Sequence, residues 1–159
     1  MGFMFSYCHK LKEIKGINKF KTNKVTNMYS MFQQCMEIKY LDISNFNTSY
    51  IIDMGFMFNE CHKLKEIKGI NNFNTNKVKN MITMFGECKE IEYLDLSNFN
   101  TSNVIDMRYM FCNCYKLKYL NINNFTIRDD CLLENIFFHL SFNKCKILIN
   151  DEKLNNYII

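Results

Sequence analysis

The stretch Met81-Ile-Thr-Met-Phe-Gly-Glu-Cys-Lys-Glu-Ile-Glu-Tyr-Leu-Asp-Leu-Ser-Asn-Phe-Asn-Thr-Ser-Asn-Val-Ile-Asp106 decides how this chain folds. Its apolar positions are Met81, Met84, Phe85, Cys88, Ile91, Leu94, Leu96, Phe99 and Val104. Most are spaced by three or four, which suits a short helical turn or a coil. Across Leu94-Asp95-Leu96 the spacing is two, which suits a strand. One such unit buries little by itself, but stacked copies bury a continuous core.

Working outward, copies begin at Met1, Met28, Met54, Met81 and Met107, in steps of 27, 26, 27 and 26 residues. Cys8, Cys35, Cys61, Cys88 and Cys114 keep the same steps. The additional residue of the longer copies sits at a glycine: Lys15-Gly16-Ile17 and Lys68-Gly69-Ile70 stand where the others have Asp42-Ile43 and Asp95-Leu96. A period of 53 lies over the shorter one, because residues 8–18 recur unchanged as residues 61–71. Duplication of a two-copy block is the simplest account.

Asn27, Asp53, Asn80 and Asp106 each precede the methionine of their copy. Such residues cap helices through a side-chain oxygen that accepts an orphan backbone N–H. The following Met-x-x-Met-Phe sets three apolar side chains on one helical face. The pattern therefore predicts a helix of about two turns, too short to stand alone. A strand centred on Leu94-Asp95-Leu96 follows, and Ser-Asn-Phe-Asn-Thr-Ser turns the chain back toward the next cap. Strand, turn, short helix and return within a unit of this length is the leucine-rich-repeat solution.

The pattern Met-x-x-Met-Phe-x-x-Cys-x-x-Leu-x-x-Leu-Asp-Leu-Ser-Asn-Phe-Asn-Thr-Ser-Asn-Val resembles the repeat of BspA-like leucine-rich-repeat proteins, in particular their mycoplasma-type domain of unknown function. The resemblance covers residues 1 to about 125. It implies an α/β, right-handed solenoid with short parallel strands on the concave face and short helices on the convex face. It implies a role in protein–protein interaction or surface adhesion, and it brings no catalytic residue.

Residues 1–125 thus read as five tandem units, the first incomplete because Met1 lacks the cap that Asp53 gives Met54. An uncapped end invites end-to-end self-association. After Phe125 the phase breaks. Residues 130–140 read as a longer helix and 145–149 as a last strand, so 126–159 is expected to be a degenerate capping repeat. So short a segment cannot stand as a domain.

Apolar residues at 48% and charged ones at 23% are globular values and argue against disorder. The formal charge of +4 is modest, and the lysines are scattered among carboxylates, which argues against a nucleic-acid partner. No apolar run is long enough for a membrane span, and no signal peptide precedes Met1. As written the chain would be made in the cytosol; an export signal upstream of Met1 would move it to the cell surface.

The five-cysteine file reads as small buried hydrophobes. Parallel Cβ vectors oppose disulfides, and no Cys-x-x-Cys pair supplies the usual zinc spacing. His9 and His62 follow file cysteines, but nothing in the sequence provides a carboxylate to orient them. Asn47-Thr-Ser, Asn100-Thr-Ser and Asn124-Phe-Thr match a glycosylation acceptor, but the first two fall in the same repeat turn, and turn chemistry explains them without glycans. The sequence therefore points to a non-catalytic protein without cofactor or metal.

The strand positions that alternate outward carry the functional expectation. One row is Glu13, Tyr40, Glu66, Tyr93 and Tyr119; the next is Lys15, Asp42, Lys68, Asp95 and Asn121. Neighbours in the second row alternate in sign and can neutralise one another. The tyrosines are the residue type favoured at interface hot spots. The candidate binding face is Tyr40, Asp42, Glu66, Lys68, Tyr93, Asp95, Tyr119 and Asn121, with another protein as the expected partner. The alternative is a structural spacer within a longer array, with no ligand of its own.

Overall fold

The computed structural model describes residues 1–158. Five strands of three residues each recur at the repeat period: β1 (Tyr40–Asp42), β2 (Glu66–Lys68), β3 (Tyr93–Asp95), β4 (Tyr119–Asn121) and β5 (Lys146–Leu148). All pairing is parallel, with Leu41 opposite Ile67, Leu94 opposite Leu120, and Leu120 opposite Ile147. The central residue of β1 to β4 points inward and is buried. The sheet is interrupted once: β1 and β2 form one ladder, and β3, β4 and β5 another. Besides the strands, the described residues hold two 3-10 turns, Ile17–Lys19 and Ile70–Asn72, and one short helix, α1 (Glu152–Asn155).

The helices predicted for Met-x-x-Met-Phe do not form. Each copy is instead a run of tight turns in which every fourth residue has a left-handed backbone, such as Ser30 and Gln34, or Thr83 and Glu87. Alternate N–H groups close local turns, as Met31 does onto Met28 O at 3.1 Å. The intervening ones cross to the next copy: Ser30 donates to Gly55 O, Phe32 to Met57 O and Gln34 to Asn59 O, at 2.8 to 2.9 Å. A two-turn helix leaves most of its end groups without partners. Stacked turns satisfy them between copies and still point the same apolar side chains inward.

The expected caps consequently cap turns. Asn27, Asp53, Asn80 and Asp106 each accept the backbone N–H two residues on, at 2.9 to 3.1 Å. They also bridge in parallel from Asn27 to Asp53, Asn80, Asp106 and Leu132.

The helix predicted over residues 130–140 is likewise absent. Phe111 N–H donates to Ile136 O and Asn113 N–H to Phe138 O, both at 2.9 Å. Leu133, Ile136, Phe137 and Leu140 thus take the inward places of Met107, Met110, Phe111 and Cys114. The spatial phase continues where the sequence phase fades. The strand expected over 145–149 forms as β5. Asp151 caps α1 and accepts Ile127 N–H at 3.0 Å, tying this last segment to the copy before it.

Two files of side chains fill the interior. Phe5, Phe32, Phe58, Phe85, Phe111 and Phe137 stack face to face with centroids 5.5 to 5.9 Å apart. Phe73 and Phe99 stack in a second file beneath the repeat turn. Burial of such rings drives the assembly, and offset stacking adds to it.

Candidate binding face

The site grows from the alternation within each strand. In β1 and β3 the central leucine turns into the core, which sends the tyrosine outward. Tyr40 is 62% exposed and Tyr93 58%. Tyr93 lies flat on Tyr119, centroids 4.5 Å apart and planes 4° from parallel. Burial raises the Tyr93 hydroxyl pKa, and the neighbouring Tyr119 and Asp95 add to the rise.

The eight candidate residues fall into two groups. Tyr40 stands opposite Glu66 and Asp42 opposite Lys68 on β1 and β2. Tyr93 stands opposite Tyr119 and Asp95 opposite Asn121 on β3 and β4. Lys68 Nζ reaches Asp42 Oδ2 at 3.1 Å. The Ser44 hydroxyl, which donates to Asp42 at 2.6 Å, holds that carboxyl below its usual range; Lys68 adds to the effect. The sign-alternating ladder expected along the whole row is therefore confined to one pair, because the interruption of the sheet falls between Lys68 and Asp95.

Two openings flank this face. One is about 540 Å³ and is lined by residues 12–18 with Tyr40, Leu41 and Asp42. The other is about 460 Å³ and is lined by residues 65–71 with Tyr93, Leu94 and Asp95. The two linings correspond residue for residue at the 53-residue period, and every pair is identical.

The cysteines are all free thiols. Cys35, Cys61, Cys88 and Cys114 each donate to a carbonyl one copy back, at 3.1 to 3.2 Å. Burial pushes the Cys35 thiol up to about 12, and Cys61, Cys88 and Cys114 well above the ordinary value. Among the described residues no group of three His, Cys, Asp or Glu side chains is placed to hold a metal. His9 meets Gln34 and His139 meets Asn113, both amides. No described helix is long and apolar enough to cross a membrane.

Sequence reasoning missed a buried threonine file. Thr22, Thr48, Thr75 and Thr101 each donate to the carbonyl of Asn47, Asn74, Asn100 or Thr126 and accept that residue's N–H. The recurrence of threonine at the repeat period was its signal. Two of the three acceptor-like asparagines sit in these turns, Asn47 accepting Ser49 N–H and Asn100 accepting Ser102 N–H. Also missed were surface ion pairs one copy apart, Lys63 with Glu37, Lys116 with Glu90 and Lys118 with Glu92.

These features define a repeat protein with short parallel strands. The family described as "Mycoplasma protein of unknown function, DUF285" matches residues 1–125 and again 37–148. The chain belongs to that family. No curated protein and no solved structure matches it.

Proposed function

We propose that the chain is a BspA-like, leucine-rich-repeat-like right-handed solenoid whose strands line a concave face, and that this face binds another protein. The role is protein–protein interaction or surface adhesion, and it is not catalytic. Residues 1–125 are the binding array and 126–159 its capping repeat.

The observation that carries the reading is the Tyr93–Tyr119 pair. The exposed Tyr93 ring lies stacked on the half-buried Tyr119 ring, on strands whose inner residues are fixed in the core. Rigid aromatic side chains offer contact area at little entropic cost and are enriched at hot spots. Replacing Tyr40 and Tyr93 by alanine leaves the buried set untouched. The double variant is expected to keep its melting temperature and to lose the proteins that the parent chain retains in a pull-down. A control variant, Tyr109→Ala with Tyr115→Ala, alters the turn side and is expected to retain them. Equal retention by both variants overturns this choice of face.

A second reading is favoured by the Lys68–Asp42 pair, which neutralises part of the face within the chain itself. In that reading the segment is a structural spacer, and neither double variant changes what is retained.

A further inference from the structure

We infer that each glycine-bearing copy opens a slot for one extended peptide strand, so that the chain holds two equivalent peptide-binding sites 53 residues apart. This rests on the strand face being a binding surface and names the form of its ligand.

The slot has a local cause. In the shorter copies the residue after the central leucine is Asp42, Asp95 or Asn121. Its side chain accepts the N–H two residues on and turns the chain off the strand. Lys15 and Lys68 have no acceptor to offer. There the glycine makes the turn, at φ 74° for Gly16 and 89° for Gly69, and a 3-10 turn follows. Gly69 leans back on the preceding copy so closely that a Cβ would sit 2.3 Å from Ser44 Cα. At Gly16 an added Cβ would meet nothing within 4 Å, yet the same opening forms, so the slot goes with the glycine turn itself and not with the contact to Ser44. The interruption of the sheet follows this glycine.

The slot walls are strand edges. In a parallel strand, alternate residues direct both backbone groups to the same side. Tyr119 N–H donates to Glu92 O at 3.2 Å and Leu96 N–H to Asn121 O at 2.9 Å. This phase turns Leu94 toward β4, and Tyr93 and Asp95 toward the slot. On the other wall Glu66 N–H donates to Lys39 O and Lys68 O accepts Ile43 N–H, which turns Ile67 toward the slot. The N–H and C=O groups of Ile67, Tyr93 and Asp95 therefore face one another across the opening with no ladder between them. The Tyr93 ring face not covered by Tyr119 looks the same way. The copies close again beyond the slot, where Asn98 Nδ2 donates to Asn71 O at 2.8 Å.

Donors and acceptors alternating along two parallel edges are matched by another extended backbone, as in strand addition to a sheet edge. A sugar offers hydroxyls but no such alternation. The opening of about 460 Å³ lies in the range of ordinary ligand sites. The first opening repeats the same ten residues and takes the same ligand.

The test uses the whole chain and a bead library of acetylated, amidated random octapeptides. The expected result is selection of peptides that bind with a stoichiometry of two. Amide exchange at Ile67 and Asp95 slows about tenfold or more on binding. N-methylation of either alternate set of peptide amides abolishes binding, because each set faces one of the two walls. Deleting Gly69 restores the 26-residue step and reduces the stoichiometry to one. Should that deletion fail to fold, the N-methyl series on the parent chain decides alone.

The inference is overturned by failure to select any peptide, by selected peptides that tolerate N-methylation of one alternate set of amides, or by binding of an oligosaccharide array in place of peptides. It is also overturned if Gly69 deletion folds and leaves the stoichiometry at two. Peptides that lose binding on Tyr40→Ala and Tyr93→Ala, but tolerate N-methylation of one alternate set of amides, sink the slot and keep the face. Peptides indifferent to both tyrosines sink the face as well.

Discussion

Cys88 Sγ donates to the carbonyl oxygen of Phe58, one copy earlier, at 3.1 Å. The thiol thus fills a small apolar site and also bonds a backbone acceptor between copies. Cys88→Ala removes both contributions and is expected to cost about 1–2 kcal/mol in urea unfolding. Cys112 has no such carbonyl partner among the described residues, so Cys112→Ala is expected to cost less. Equal losses would show that the bond contributes nothing.

The same file makes stability depend on alkaline pH. Burial raises the folded pKa of Cys35 to about 12 from an ordinary thiol value of about 9, and raises those of Cys61, Cys88 and Cys114 as well. Above the unfolded value the unfolded chain loses thiol protons that the folded chain keeps. This contribution is therefore complete below pH 9 and is lost as pH rises from about 9 toward 12. Melting temperature is expected to be flat with respect to these groups up to pH 8.5 and to fall beyond it. The Cys35→Ala, Cys61→Ala double variant should fall less steeply.

The repeat, its period, the inward set and the strand positions were legible because burial imposes them on every copy. Leu41, Ile67, Leu94 and Leu120 are strand centres in sequence and structure alike. The local form of Met-x-x-Met-Phe was not legible. Apolar spacing of three and four fits a helix and a run of tight turns equally well. What separates them is whether backbone groups bond within the copy or to the next one, and that depends on stacking. Residues 130–140 misled for a related reason. Leu140 replaces the file cysteine, so the sequence marker vanishes while the inward volume remains. The tyrosines of the candidate face could be read from alternation. The gap between β2 and β3 could not, since its signal was one glycine whose turn leaves the apolar pattern unchanged.

Thr101 lies fully buried, donating to Thr126 O at 3.0 Å and accepting Thr126 N–H at 2.8 Å. Thr101→Val keeps the shape and leaves that N–H and C=O without partners. A loss of about 2 kcal/mol is expected by chemical denaturation. Thr101→Ser keeps the hydroxyl, loses only a methyl group, and should cost about 1 kcal/mol. If serine is the worse of the two, packing outweighs the hydrogen bonds.

Phe85 stands in the middle of the phenylalanine file, between Phe58 at 5.5 Å and Phe111 at 5.9 Å. Phe85→Ala opens a cavity bounded by two rings and is expected to cost about 3–5 kcal/mol. In a stack whose copies contact only their neighbours, the loss also weakens coupling between the two halves. Hydrogen exchange in the variant should therefore accelerate in copies on both sides of Phe85, not only in its own. Acceleration confined to residues 81–106 would oppose this coupling.

Gly16 and Gly69 carry the same local sequence in different surroundings, and their alanine variants separate strain from collision. Both have a left-handed backbone, which costs a residue with a Cβ about 1–2 kcal/mol. At Gly16 no atom lies within 4 Å of the added Cβ, so Gly16→Ala should cost only that strain. At Gly69 the Cβ would lie 2.3 Å from Ser44 Cα and 2.6 Å from Ser44 N, both backbone atoms that cannot swing aside. Gly69→Ala must push the copy off its neighbour and strain the Leu41–Ile67 pairing next to it. Its loss is expected to exceed that of Gly16→Ala by about 2 kcal/mol or more, read from urea midpoints at equal slope. Equal losses at the two positions would show that the glycine-bearing turn does not lean on the preceding copy in solution.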